Sequence, residues 1–335
     1  MFEELWTTLA SEAITGLTNG SVVRRRVIPE ERANLFLAVE YPSNMRLLMV
    51  DVCSDALSHT QQLPTGDGFL VERVALPENA PHIATLTLRL TDARYRDIFT
   101  ILVEDVVASV VHAPDDNSAV DCFLAKLLTW QRFLASHGPD GLGREAQQGL
   151  YGELYCLRAT MLAALDAYSA VMAWTGPSGA VHDFQRPMCA VEVKTSAGKQ
   201  LQTIRISNER QLDSAHVNDL WLSHVSLDIS MADGESLNDI VTSLRESLTA
   251  HALARQSFDE RLWQAGYLDQ HAERYEGTKY HIRAYRVFHV RDGFPKIVEA
   301  DLRLGVGDVH YAISVAECMH FVADDLTVAE TLKGE

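Results

Sequence analysis

Between residues 149 and 213 stand five side chains whose types and order could do chemistry together: Glu153, Asp183, Glu192, Lys194 and Gln211. Glu192 and Lys194 flank Val193 in the string AVEVKTS. Side chains alternate across a strand, so Glu192 and Lys194 project together while Val191 and Val193 turn into a core. Asp183, in the string HDF, reaches the same spot if its segment pairs beside that strand. Two carboxylates and an ammonium at one point on a sheet are costly to gather unless a cation and a phosphate bind there. Magnesium prefers a few carboxylates, with water and phosphate oxygens completing its octahedron. Asp183 and Glu192 are therefore the expected direct ligands, with the Val193 carbonyl as a third. The matching chemistry is phosphodiester hydrolysis, which needs an activated water, charge neutralisation and help for the leaving oxygen. Lys194 would orient the water, deprotonate it or neutralise the phosphorane, and the sequence leaves these roles open.

The elements around these residues must hold them in place. A helix is expected over residues 144–168, with Leu150, Leu154, Leu157 and Met161 as its apolar stripe. At ~100° per residue, Glu153 falls on the border of that stripe. Gly149 and Gly152 flank it, and glycine inside a helix signals close packing. Strands are expected at 181–185, 188–196 and 200–207, then a short helix at 208–214, a strand at 219–227 and a long helix at 235–255.

Five pieces occur in one order: GLYGEL, WTGP, HDF, EVKTS and ISNERQL. With them the chain resembles the PD-(D/E)XK nuclease superfamily, and more narrowly its uncharacterised members encoded near bacterial anti-phage genes. The resemblance covers roughly the central third of the chain. It implies a restriction-endonuclease-like αβββαβ core, within an α/β (α+β overall) protein. It implies further that Glu153 completes the metal site, holding a second ion or a water, and that Gln211 contacts the lysine or the phosphate backbone. An exposed helix amide is the plainer reading of Gln211. The expected activity is Mg²⁺-dependent cleavage of DNA, with Mn²⁺ as a substitute and RNA still open. Other defence-system subunits, such as a helicase or ATPase, are the expected partners, together with a homodimer. A catalytically degenerate scaffold of the same fold is the alternative.

The rest of the chain bounds these expectations. With 335 residues and 47% hydrophobic content, the chain can bury a sizeable core in more than one domain. The expected division is a β-rich recognition or docking domain at 1–113, the nuclease-like core at 114–255 and an α+β extension at 256–335. In the first, a helix (1–20) precedes strand-like runs at 33–41, 45–52, 69–76, 82–90 and 97–113. A helix is expected at 116–137. The extension should hold a helix at 258–265 and strands at 280–290, 295–304 and 309–316. No apolar run approaches the ~20 residues of a membrane helix, and the start is acidic rather than a basic leader. A soluble cytoplasmic protein is expected.

Five scattered cysteines without CxxC spacing argue against a disulfide framework. His310, Cys318 and His320 make a weak zinc candidate, one ligand short of a closed site. The net charge of −17 argues against a protein that grips nucleic acid over a wide surface. Between residues 190 and 212, however, Lys194, Lys199, Arg205 and Arg210 outnumber Glu192 and Glu209. A small local footprint is expected, with metal ions or partner subunits supplying the remaining grip. Arg24–Arg26 reads as a solvated strand end or a phosphate contact. No GxSxG elbow and no P-loop is present.

Overall fold

A computed structural model gives the structure, and it describes residues 2–12, 20–28, 33–57, 63–76, 79–198 and 203–334. The chain divides into two compact units, Met1–Asp140 and Gly141–Glu335.

In the first unit, α1 (Phe2–Glu12) precedes strands β1 (Val22–Arg26), β2 (Asn34–Glu40), β3 (Met45–Cys53), β4 (Thr65–Gly66), β5 (Phe69–Val74) and β6 (Ile83–Leu90). They form one antiparallel sheet in the order β1-β2-β3-β6-β5-β4. Of the expected helix at 1–20, residues 13–19 lie outside the described residues. Arg24 is an ordinary structural arginine: it pairs with Asp51 at 3.1 Å and lies 4.3 Å over the Phe36 ring. The run at 97–113 is not a strand but a helix, α2 (Arg96–Val110). Its β-branched content suggests a strand, yet Ile98, Phe99, Leu102, Val103, Val106, Val107 and Val110 recur at helical steps and all are buried. Helix α3 (Asp116–Ser136) begins at Asp115, whose carboxylate accepts the Ser118 N–H at 2.8 Å. Asp105 of α2 accepts from Lys126 Nζ at 2.8 Å and Trp130 Nε1 at 3.0 Å of α3. Those bonds tie α3 to α2, so the expected boundary at 113/114 cuts through a helix pair of the first unit.

In the second unit, α4 (Arg144–Cys156) runs through a π-turn (Leu157–Met161) into α5 (Leu162–Ala164), followed by α6 (Ala167–Ala173). Strands β7 (Phe184–Arg186), β8 (Cys189–Ala197), β9 (Thr203–Ile206), β10 (Asp219–Ser230) and β11 (Glu235–Ser236) come next. Helices α7 (Leu237–Ser247), α8 (Ala252–Gln264) and α9 (Ala272–Tyr275) lead to β12 (Lys279–His289) and β13 (Tyr311–Ser314). Short α10 (Val315–Cys318) and α11 (Asp325–Lys333) follow. The fold is mixed α/β, consistent with an α+β nuclease-like architecture.

The sheet order is β11-β12-β10-β8-β7, with β8 and β10 parallel and the other neighbours antiparallel. One sheet face buries Val191, Val193, Trp221, Val225 and Val287 against Leu150 and Leu154 of α4. The other buries Ala190, Leu220, Leu222 and Phe288 against Ile204, Ile206 and Ile313.

Four expectations change here. β9 does not join the main sheet but pairs with β13 in a ladder of two strands. No strand forms at 295–304. Residues 256–335 are no appendage, since β12 is hydrogen-bonded directly to β10 and completes the sheet. The helix expected at 235–255 is interrupted between α7 and α8, and the helix expected at 258–265 is the later part of α8, which ends at Gln264.

Candidate active site

β7 begins at Phe184, which pairs with Val191 of β8. Asp183 therefore comes to rest beside Val193, and its Oδ2 accepts the Val193 N–H at 2.7 Å. A strand residue directs its N–H and C=O to the same edge, so the Val193 carbonyl faces Asp183 as well. The turn after α6 clasps this acid from behind. N–H groups of Thr175 and Gly176 donate to the Asp183 main-chain carbonyl at 2.8 and 2.9 Å.

Glu153 arrives from α4. Its Oε2 accepts the indole N–H of Trp174, a fully buried residue, at 2.7 Å. Gly176 lets the two acids meet: a Cβ there would lie 3.0 Å from Asp183 Oδ1 and 3.1 Å from Glu153 Oε2. Lys194 Nζ pairs with Glu192 Oε1 at 2.6 Å. Glu192 is only 1% exposed, and its other oxygen, Oε2, is buried without a hydrogen-bond partner.

Burial and mutual repulsion set the charge state of the three carboxyls. Burial, then Asp183, pushes Glu153 up to about 8, against the opposing pull of the Trp174 N–H and Lys194. Burial raises Asp183, while the Val193 N–H and the Lys194 charge oppose it. Glu192 is raised well above the carboxylate range by burial and by Asp183, although Lys194 stands against it. Such a site favours bound protons, or a cation in their place.

A protein-family model described as "Putative PD-(D/E)XK family member, (DUF4420)" matches residues 2–316. The chain belongs to this family. No curated protein and no solved structure matches it.

Glu153, Asp183 and Glu192 fit a hard divalent cation in donor type, since all are oxygens, and the orphaned Glu192 Oε2 is a buried acceptor in want of a partner. Among the described residues no three His, Cys, Asp or Glu side chains converge as a ready-made cage. Trp174, Val193 and Lys194 instead supply donors to Glu153, Asp183 and Glu192 respectively.

Gln211 stands apart from this group. It lies on a 3₁₀ turn, Glu209–Leu212, rather than a helix, and its Oε1 accepts the Ser207 N–H at 2.8 Å. Its main chain supports the His182 ring. Lys199 lies outside the described residues, so among these Lys194, Arg205 and Arg210 supply the positive balance. Cys318 is buried.

Sequence reasoning missed three members of the neighbourhood. Trp174 and Gly176 could have been found in WTGP, because a tryptophan and a glycine just before the HDF acid imply a donor and a close approach. His224 left a fainter signal, as one polar residue inside an apolar strand. It aligns with Lys194 on β8 and Arg286 on β12, and its Nε2 lies 2.8 Å from Ser196 Oγ. Burial, reinforced by Arg286, pulls its pKa down to about 4, so the ring is neutral at ordinary pH.

Gly152 is what lets α4 lie flat on β8, because a Cβ there would come 2.1 Å from Thr195 Cγ2. Gly152→Ala is expected to destabilise the protein by about 1–3 kcal/mol through overpacking. Thr195→Ser removes that methyl, and the double variant should recover most of the loss in urea denaturation. Equal stability of Gly152→Ala and the parent would contradict the packing.

Proposed function

We propose that the protein is a metal-dependent endonuclease that hydrolyses DNA phosphodiester bonds, with Mg²⁺ as its ion and Mn²⁺ as a substitute. Membership of the PD-(D/E)XK family supports nuclease-like function. The observation that carries the reading is the junction of β7 and β8, where Asp183 bonds to Val193 between Glu192 and Lys194. Asp183, Glu192 and the Val193 carbonyl would hold the ion, with Glu153 as the further acid. When bound, a divalent ion supplies Lewis acidity at the scissile phosphate. Trp174 fixes the Glu153 carboxyl by its indole N–H. The Lys194 side chain is 16% exposed, enough to meet a substrate while it stays paired with Glu192. From there it donates to a phosphoryl oxygen or takes part in moving the proton of the attacking water.

The net charge of −17 suits a narrow contact with the strand being cut. Wider grip would come from a second copy or from defence-system partners such as a helicase or ATPase, in the cytoplasm. The principal test incubates supercoiled plasmid with the protein and Mg²⁺ or Mn²⁺, alone and with neighbouring gene products. RNA serves as the second substrate.

One observation favours a catalytically degenerate scaffold: each of the three acids already has a protein donor. Calorimetry separates the readings. An ion entering a site whose acids hold protons must expel them, so binding near pH 7 should release at least about one proton. The apparent enthalpy should then differ between buffers of different ionisation heat, and affinity should rise with pH. A scaffold shows no Asp183-dependent uptake of divalent ions.

A further inference from the structure

Beside the acids the second unit carries a cavity of about 510 Å³ that the proposed chemistry does not use. Its wall includes His182, Arg186, Met188, Arg210, Asp213 and Glu299. His182 adjoins Asp183 in the chain, and Cys189, also on the wall, precedes Glu192 on β8 by roughly 10 Å of strand. Along the chain the cavity wall thus adjoins the segments that carry Asp183 and Glu192. Its volume is that of a small-molecule site, within the range of ~300–1,000 Å³.

Two features mark it as more than a crevice. His182 is 7% exposed, yet its Nε2 is buried and has no hydrogen-bond partner. The Gln211 main chain holds the ring in place. A buried ring nitrogen without a partner, on a residue of the cavity wall, is costly unless a ligand completes it.

Met188 is the second feature. Arg186 pairs with Cys189, which leaves Pro187-Met188 as a two-residue hairpin turn. Met188 has φ 64°, at the turn position after proline where glycine is favoured. Its carbonyl is anchored by the N–H groups of Asn218 and Asp219 at 2.8 and 3.2 Å. This strained methionine, a residue of the cavity wall, is 54% exposed. A flexible thioether in that place is suited to lie against a flat ring.

The charges on the wall are mixed. Arg186 and Arg210 suit a phosphate, whereas Asp213 and Glu299 would repel a bare anion. A ligand that is anionic at one end and offers N–H donors at the other matches both. We propose that the cavity binds one nucleotide of the substrate strand, flanking the cut, with its phosphate towards the arginines, its base edge on His182 Nε2 and its ring against Met188. The ligand's identity rests on the endonuclease reading of the neighbouring acids; the cavity itself does not.

The test is equilibrium binding of the four deoxynucleoside 5′-monophosphates to the full chain in EDTA, with 2-deoxyribose 5-phosphate as the base-free control. At least one nucleotide is expected to bind about tenfold or more tighter than the control, a gain typical of a stacked, hydrogen-bonded base. His182→Leu and Arg210→Ala should each weaken it about tenfold. Met188→Gly should weaken it too while leaving the melting temperature equal or higher, which keeps the test decisive if His182→Leu fails to fold. Equal binding of control and nucleotides would reduce the cavity to an anion site and overturn the proposal. So would no binding at ~10 mM, or an unchanged affinity in Met188→Gly. Nucleotide binding without plasmid nicking leaves the cavity standing and removes the endonuclease reading; nicking without nucleotide binding does the reverse.

Discussion

Replacing Asp183 by alanine is expected to slow plasmid nicking in Mg²⁺ by ~10³-fold or more, and Lys194→Ala should do the same. The magnitude follows from where these groups stand. Asp183 has part of its charge taken up by the Val193 N–H, on the edge where the Val193 carbonyl also faces. Lys194 pairs with the almost wholly buried Glu192. Lys194→Arg should restore little, because a planar guanidinium does not reproduce a compact ammonium 2.6 Å from one carboxylate oxygen. Linearisation and nicking are read on a gel over time, beside melting curves that confirm folded variants. Nicking by Asp183→Ala at the parent rate would remove the assignment.

Glu153→Gln gives the second large effect, and it depends on pH. In the folded protein Glu153 keeps its proton up to about pH 8, whereas unfolded it releases it near the ordinary value of 4.5. Between these values the native state binds more protons than the unfolded state, so stability falls as pH rises through that window. Below it the contribution is fully present. Glutamine mimics the neutral acid at every pH and escapes the loss. The variant should match the parent near pH 4.5 and exceed it at pH 9 by about 2–4 kcal/mol, a discounted value because Asp183 shares the effect. Saturating Mg²⁺ should narrow the gap, since an ion that binds only the native parent stabilises it. Melting curves at both pH values provide the check, and a gap that does not change with pH would refute the buried-acid account.

The heart of the site was legible in the sequence because one rule governs it. Strand alternation placed Glu192 and Lys194 on one face and Val191 and Val193 in the core, where both valines are buried. Pairing of Phe184 with Val191 then carried Asp183 to the predicted place. The Gly152 contact was legible too, but the same expectation fails at Gly149 of that helix, where a Cβ would meet open space.

What escaped depended on partners distant in the chain. The helix α2 hid behind β-branched residues, whose preference for strands is weak against seven buried positions at helical spacing. The separate pairing of β9 with β13 rests on contacts about a hundred residues apart, such as Tyr311 with Ile206, which local patterning does not specify. Gln211 was assigned by resemblance to a helix, yet the chain makes only one 3₁₀ turn there, and its amide bonds to Ser207. Trp174 entered only as part of the WTGP piece, and its indole donor went unused.

The place of β12 has a consequence for how the molecule is made. β10 receives its second neighbour only from residues 279–289, long after every acid has been translated. Until that segment leaves the ribosome, the nascent polypeptide shows an unpaired edge bearing Leu222, Val225 and Leu227. During synthesis the second unit should accordingly stay unassembled, and a nonsense codon before residue 279 should yield a clumping product rather than a smaller folded protein.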